Sequence, residues 1–346
     1  MMNYFYAGGY YVKQPNCLYR CSLDVTKENE VALKILEGYD ITNAVYMCFS
    51  TDKKVLYAVI ETAEYKGQYG GGLAAFAVGS DGKLSIINEV GTGGNSPCHL
   101  SVSDDNTKVY VAHYMEGTTA IFNIESGGAI GELIKVIDHS DFSTPSRTFP
   151  GRQEGCHAHF VEQKNDSLWM CDLGTDSVFV FNLDGGEPRR IEMQKGYGPR
   201  HLTFHPTLPF AYLINEFSCT VVTINTETLE LMGEVDVLKT ADPNCTSAAI
   251  AISPNNDYLL VSNRGGFSNT ISVLDLDDKG NVGKLKQLVE SRGVCPRDFS
   301  FSPCGTKVLV ANQDSDLITV LDWDGAGNLN IMDEKLTVQK PVCVIF

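Results

Sequence analysis

The sequence predicts an all-β fold, a seven-bladed β-propeller of four-stranded antiparallel blades, and three observations carry that expectation. Residues 198–222, GPRHLTFHPTLPFAYLINEFSCTVV, read as a hairpin running into a third strand. Apolar and β-branched runs at 201–204, 210–214 and 220–224 are separated by His-Pro-Thr-Leu-Pro and Glu-Phe-Ser-Cys, segments whose prolines and small polar residues favour turns. The same pattern recurs from Pro97, Cys156, Thr246 and Cys295, and more loosely from Asn43. A repeat of roughly 40 to 50 residues built of short strands is the signature of propeller blades. The two ends are complementary. Residues 3–23, NYFYAGGYYVKQPNCLYRCSL, match the later strands of the repeat but have no first strand before them, and residues 340–346, KPVCVIF, resemble the first strands that begin at Pro97, Pro199 and Pro296. Six complete copies and one divided between the ends make seven blades, closed by the C-terminal strand pairing with N-terminal strands.

The rest of the chain is consistent with that architecture. Length alone suggests two domains for 346 residues, but a repeat that closes on itself predicts one domain over 1–346. Hydrophobic residues are 43% and charged residues 20%, an ordinary globular balance, and no apolar run reaches the ~18 residues of a membrane span. The start, Met-Met-Asn-Tyr, lacks the basic and apolar segments of a secretory signal. Eleven cysteines, odd in number and without zinc-ribbon or finger spacing, read as buried thiols in a reducing cytoplasm. A net charge of −16 and a pI near 4.8 argue against nucleic acid and anionic membrane as partners, so an anionic small molecule would need a local group of arginines. A monomer or weak homodimer is expected.

Taken in order, the copies offer few rival motifs. The Gly-rich stretch at 65–73 has no following Gly-Lys-Ser/Thr and reads as a flexible connection rather than a phosphate cradle. Asp81-Gly82, Asp184-Gly185 and Asp324-Gly325 stand where outer strands turn. Residues 138–155, DHSDFSTPSRTFPGRQEG, have no periodicity and form the one long inter-blade loop, with Arg152 near its end.

Aligning the copies concentrates chemistry at one end of the blades. The start of the first strand carries, blade by blade, Val342, Val45, Cys98, His157, Arg200, Ala248 and Arg297. The end of the second carries Gly8, Glu61, His113, Asp172, Glu216, Arg264 and Gln313. Residues 200 and 216 are equidistant from the turn centred on Leu208, so antiparallel pairing sets Arg200 against Glu216. Blades four to seven bring His157, Asp172, Arg200, Glu216, Arg264, Arg297 and Gln313 to one mouth of the channel, the composition needed to bind and turn over a small anion. His157-Ala158-His159 raises a metal alternative, because alternate strand residues share a face. His159 aligns with Leu100, Leu202 and Phe299, however, and reads as a packed histidine, so neither metal nor cofactor is expected. No Gly-x-Ser-x-Gly marks a serine nucleophile.

These residues also carry a resemblance. GPRHLTFHP followed by AYLINE, together with GRQEGCHAH, LLVSNRG and PRDFSFSPCGTKVLVANQDSD, resembles the seven-bladed β-propeller lactonases, which include bacterial 6-phosphogluconolactonases and fungal carboxy-cis,cis-muconate cyclases. The resemblance implies a catalytic set of His157, Arg200, Glu216 and Arg264. The third copy departs from the family's Asn-Tyr-Gly-Gly-Gly with Ala-His-Tyr-Met-Glu-Gly, which places His113 at the far wall of the pocket. The expected activity is hydrolysis of 6-phosphogluconolactone, against two alternatives: a muconate-lactonizing enzyme and a non-catalytic binding scaffold. Glu216 is the first candidate for the base that activates water and His157 the proton relay, with the reverse assignment open. Arg200, Arg264 and Arg297 divide oxyanion and phosphate binding, and Arg152, Asp172, Gln313 and His113 complete the substrate contacts.

Overall fold

The computed structural model describes residues 3–11, 16–26 and 29–346. Among them are seven four-stranded antiparallel sheets, one two-stranded hairpin and three short 3-10 turns, so the fold is the expected all-β propeller with almost no helix. The chain divides into two compact units, residues 1–39 with 200–346, and residues 40–199.

The first unit holds four sheets, among them the one assembled from both ends of the chain in the order Val31–Asp40, Asn16–Val25, Asn3–Gly9, Pro341–Ile345. Tyr6 pairs with Ile345, Ala7 with Val344 and Gly8 with Cys343, as the split repeat predicts. Each middle strand is apolar on both faces because it packs between neighbouring sheets. Phe210–Asn215 and Thr220–Asn225 are almost wholly buried, whereas the outer strand Leu231–Asp236 is largely exposed. Tyr212, Ile214, Val221, Leu259, Val261 and Leu274 form one such inter-sheet core.

The second unit holds the remaining three sheets, with Tyr110, Ala158, Val161, Met170 and Phe179 in the core between two of them. The Gly-rich stretch departs from expectation. Glu64–Tyr65 and Gln68–Tyr69 pair as a small hairpin whose turn residues Lys66 and Gly67 have φ of 50° and 76°, the left-handed geometry of a tight two-residue turn. All eleven cysteines are free thiols, but they are not all core residues: Cys304 is exposed, Cys48 and Cys295 are partly buried, and Cys156 lies just ahead of its strand.

The ladder registers correct the alignment of copies. The last paired residue of each second strand, set against the first residue of the third, is His113 (Thr118), Asp172 (Ser177), Asn215 (Thr220), Asn263 (Thr270) and Asn312 (Leu317). The counterparts of Glu216, Arg264 and Gln313 are therefore Tyr114 and Leu173, and His113 and Asp172 sit one residue too early. A one-residue slip turns a strand side chain to the opposite face, so His113 and Asp172, 1% and 0% exposed, do not share the face expected of them. The first strands carry a second shift. Blade four turns in two residues between Lys164 and Ser167, so the position that Arg297 holds at a bulge between Pro296 and Asp298 is held there by His159, between Ala158 and Phe160. His157 precedes the strand, tied by its carbonyl to the Leu173 amide at 3.0 Å.

Candidate active site

In the first unit the expected salt bridge is present and has a third member. The Glu216 carboxylate, with no exposed surface, forms ion pairs through one oxygen with Arg200 Nε at 3.0 Å and Arg264 Nη2 at 3.2 Å. Glu216 follows the second strand Phe210–Asn215 of one sheet, Arg264 is the last residue of the second strand Tyr258–Arg264 of the next and pairs with Thr246, and Arg200 stands at the start of the first strand Pro199–Phe204. Arg200 also donates from Nη1 to the Ala248 carbonyl at 2.7 Å, which fixes its guanidinium plane. Arg297, partly buried, donates to Gln313 Oε1 at 3.1 Å and lies over the Tyr10 ring at 5.5 Å. Asp298 was not anticipated. Its Oδ2 accepts the Val344 amide at 2.9 Å, and burial pushes the carboxyl up to about 6 against the backbone donors and the charge of Arg200. Only its acidic character directly after Arg297 hints at it in the sequence.

Buried ion clusters of this kind are poor stabilisers, because desolvating the charges offsets most of their attraction and apolar residues of similar size do as well or better. Two guanidiniums gathered on one buried carboxylate are instead suited to stabilise negative charge that develops during a reaction.

In the second unit His157 is 3% exposed and held on three sides. Its Nδ1 bonds the Tyr114 carbonyl at 2.8 Å, its ring stacks on the Tyr114 ring at 4.5 Å and 15°, and its backbone N–H donates to Asp172 Oδ1 at 3.1 Å. A carbonyl oxygen only accepts, so Nδ1 carries the proton of the neutral imidazole and Nε2 keeps its lone pair. Among the described residues Nε2 has no hydrogen-bond partner, and the Glu154 carboxylate lies 3.6 Å away. Gly174 permits this approach: a Cβ there would lie 1.9 Å from the Gly155 carbonyl oxygen and 3.0 Å from the His157 ring.

Asp172 and His113, expected to contact substrate, serve the scaffold. Asp172 is bonded to His139 Nδ1 at 2.7 Å and to the His157 and Thr175 amides. Burial acts to push its carboxyl up, but the His139 bond and charge and the two amides outweigh it and hold the carboxyl below the usual carboxylate range. His113 bonds Thr118 Oγ1 at 3.0 Å, the bond that Asn215 makes to Thr220 and Asn263 to Thr270, and burial brings its imidazole down to about 4. Arg152 comes from the long loop, donating from Nε to the Tyr114 hydroxyl at 2.9 Å. His139 and Tyr114 were missed. Tyr114 was legible by counting back from the third strand, whereas His139, at the end of an outer strand, left no signal. Among the described residues no group of three or more His, Cys, Asp or Glu side chains is placed to share a metal ion.

Residues 4–346 match the family described as Lactonase, 7-bladed beta-propeller. The chain is similar to a 6-phosphogluconolactonase of Formosa agariphila, 31% identical over 90% of this chain and 90% of that protein. It is also similar to a 6-phosphogluconolactonase of Bacillus subtilis, 27% identical over 99% and 97%. The solved structure of a periplasmic gluconolactonase of Pseudomonas aeruginosa superposes with a TM-score of 0.91 at 26% identity, covering 100% of this chain and 99% of the other.

Proposed function

The chain belongs to the seven-bladed β-propeller lactonase family, and from that premise we propose that it hydrolyses a sugar lactone, with 6-phosphogluconolactone as the substrate and 6-phosphogluconate as the product. The observation that carries the reading is the pair of guanidiniums held on the buried Glu216 carboxylate. The relatives named for that reaction support it. In the proposed sequence the lone pair on His157 Nε2 takes a proton from water as the water oxygen bonds to the lactone carbonyl carbon. The carbonyl electron pair moves to its oxygen, where Arg200 and Arg264 stabilise the charge. Collapse breaks the bond to the ring oxygen, and the imidazolium returns the proton to that leaving oxygen. Arg297 is assigned to the phosphate, a role its guanidinium suits.

This assignment reverses the first expectation for Glu216. A carboxylate that took a proton during turnover would release both of its ion pairs in a site where breaking one costs about 3–5 kcal/mol. Glu216 therefore orients the guanidiniums, and the proton transfers fall to His157, whose Nε2 already presents a lone pair.

The test is hydrolysis by purified protein of 6-phosphogluconolactone and unphosphorylated gluconolactone, with carboxymuconate as the control for lactonization, each corrected for spontaneous reaction. The proposal expects phosphorylated lactone to give the highest kcat/KM and His157→Ala to lower kcat ~10²- to 10⁴-fold. Preference for the unphosphorylated lactone would transfer the assignment to the activity named for the Pseudomonas aeruginosa protein. Turnover of carboxymuconate alone would overturn it.

A further inference from the structure

Tyr114 holds the His157 imidazole at two points. Its carbonyl accepts from Nδ1, its ring lies parallel to the imidazole at 4.5 Å, and its edge meets the His159 ring at 5.6 Å and 80°. On the far side its hydroxyl accepts from Arg152 Nε at 2.9 Å, with the guanidinium 5.9 Å from the ring centroid. Tyr114 is also the counterpart, in the repeat, of Glu216 and Arg264, the position that carries chemistry in other blades.

We propose that Tyr114 is the positioning residue of the acid-base step: it sets the tautomer and plane of His157 through its carbonyl and its ring, and the Arg152 bond to its hydroxyl is an added anchor on which that setting does not depend. The inference deepens the lactonase reading and rests on it for the role of His157, but the geometry stands by itself. An imidazole bonded through Nδ1 alone would rotate about that bond, and a parallel ring at contact distance removes the rotation. Gln153, with no exposed surface, fastens the loop beside Arg152 by donating to the Leu173 carbonyl and to Asp176 Oδ1, both at 2.8 Å. A loop that only connected blades would not need its polar side chains buried and paired in this way. The charged and titratable groups around the imidazole are Glu154 at Nε2, Asp172 at the backbone amide, Arg152 beyond the tyrosine ring, and His159 across the tyrosine edge.

Long-range proton–nitrogen correlation on protein labelled at histidine, recorded at alkaline pH where free imidazoles are neutral, reads the tautomer directly. The parent should show His157 protonated at Nδ1 alone, and Tyr114→Phe, which keeps ring and carbonyl, should show the same pattern. Tyr114→Leu should show a mixture of the two tautomers, with kcat for the lactone lowered about tenfold to a hundredfold, the loss expected of a misplaced group, and KM changed less than threefold. A parent with His157 protonated at Nε2 overturns the proposal. So does a Tyr114→Phe variant that loses the parent tautomer, since the hydroxyl rather than the ring would then set it. So does a folded Tyr114→Leu variant that keeps the parent pattern, since the ring would then be packing only. Because the spectra require no turnover, failure of the lactonase assignment leaves this result readable.

Discussion

Replacing Glu216 with glutamine separates the two roles open to a carboxylate in this cluster. Gln keeps the shape of the side chain and one carbonyl oxygen but removes the charge on which Arg200 and Arg264 converge at 3.0 and 3.2 Å. With Glu216 unexposed and the Arg200 and Arg264 side chains at 3% and 12%, solvent compensates little of what is lost. Breaking a buried pair by neutralising one partner costs about 3–5 kcal/mol. At about 2 °C per kcal/mol for a chain of this size, Tm should fall by about 6–10 °C. Disordering the guanidiniums should also lower kcat about 10²- to 10³-fold, the usual loss on removing an oxyanion contact. A double-mutant cycle with Arg264→Met should then give a coupling energy of at least about 2 kcal/mol in thermal or urea unfolding. A carboxylate that acted as a general base without being held by the two guanidiniums predicts a different pair of results, because the neutral isostere would abolish turnover and leave the fold alone. If Glu216→Gln melts within about 1 °C of the parent while kcat collapses, the clamp assignment is wrong and the carboxylate is the base.

Deleting residues 340–346 removes the buried Val342 and Val344, about 1.5–3 kcal/mol each, together with the ladder to Tyr6, Ala7 and Gly8. Because whole-domain stability is about 5–15 kcal/mol, urea unfolding of the truncated protein should begin far earlier or lose its cooperativity, and an unchanged midpoint refutes the closure role. Arg297→Ala should raise KM for the phosphorylated lactone at least tenfold while leaving KM for gluconolactone within about threefold, and equal effects on both would deny a phosphate contact. Asp298 titrates upward on folding, to about 6, so the folded state binds the extra proton and this contribution to stability is complete below about pH 4 and lost as pH rises through about 6. Glu162, pushed up by burial to about 7, acts in the same direction. Asp298→Asn should therefore gain stability over the parent at pH 8 and not at pH 4 in thermal melts, and a constant difference across that range would reject the linkage.

What the sequence made legible follows from how far each signal reaches along the chain. Blade number and the Arg200–Glu216 contact rest on hairpins, whose two sides are joined by a short turn, so local pattern and pairing arithmetic determine them, and closure was legible because the strand missing from the first copy is present at the other end of the chain. Errors arose where a turn changed length without changing the look of its strands. In blade four the paired residues Ala158 and Asp172 are 14 positions apart, where in blade three Pro97 and His113 are 16 apart. Counting from the cysteine-histidine start therefore put His157 in the position that His159 holds. At the second strand the alternation of buried and exposed residues gave no warning, because that strand is buried on both faces and its polar terminus reads alike in either register. His113, Asp172, Asn215, Asn263 and Asn312 form one polar series, all at 0–1% exposure, and several bond a hydroxyl of the third strand. That series ties second strands to third strands, and Tyr114, Glu216, Arg264 and Gln313 lie one residue later. The slip also hid Tyr114 behind His113. A tyrosine in a β-rich chain reads as packing until the residue stacked on it is known, and here that residue arrives from the far end of an 18-residue loop with no periodicity, so its placement depends on contacts that neither strand pattern nor spacing encodes.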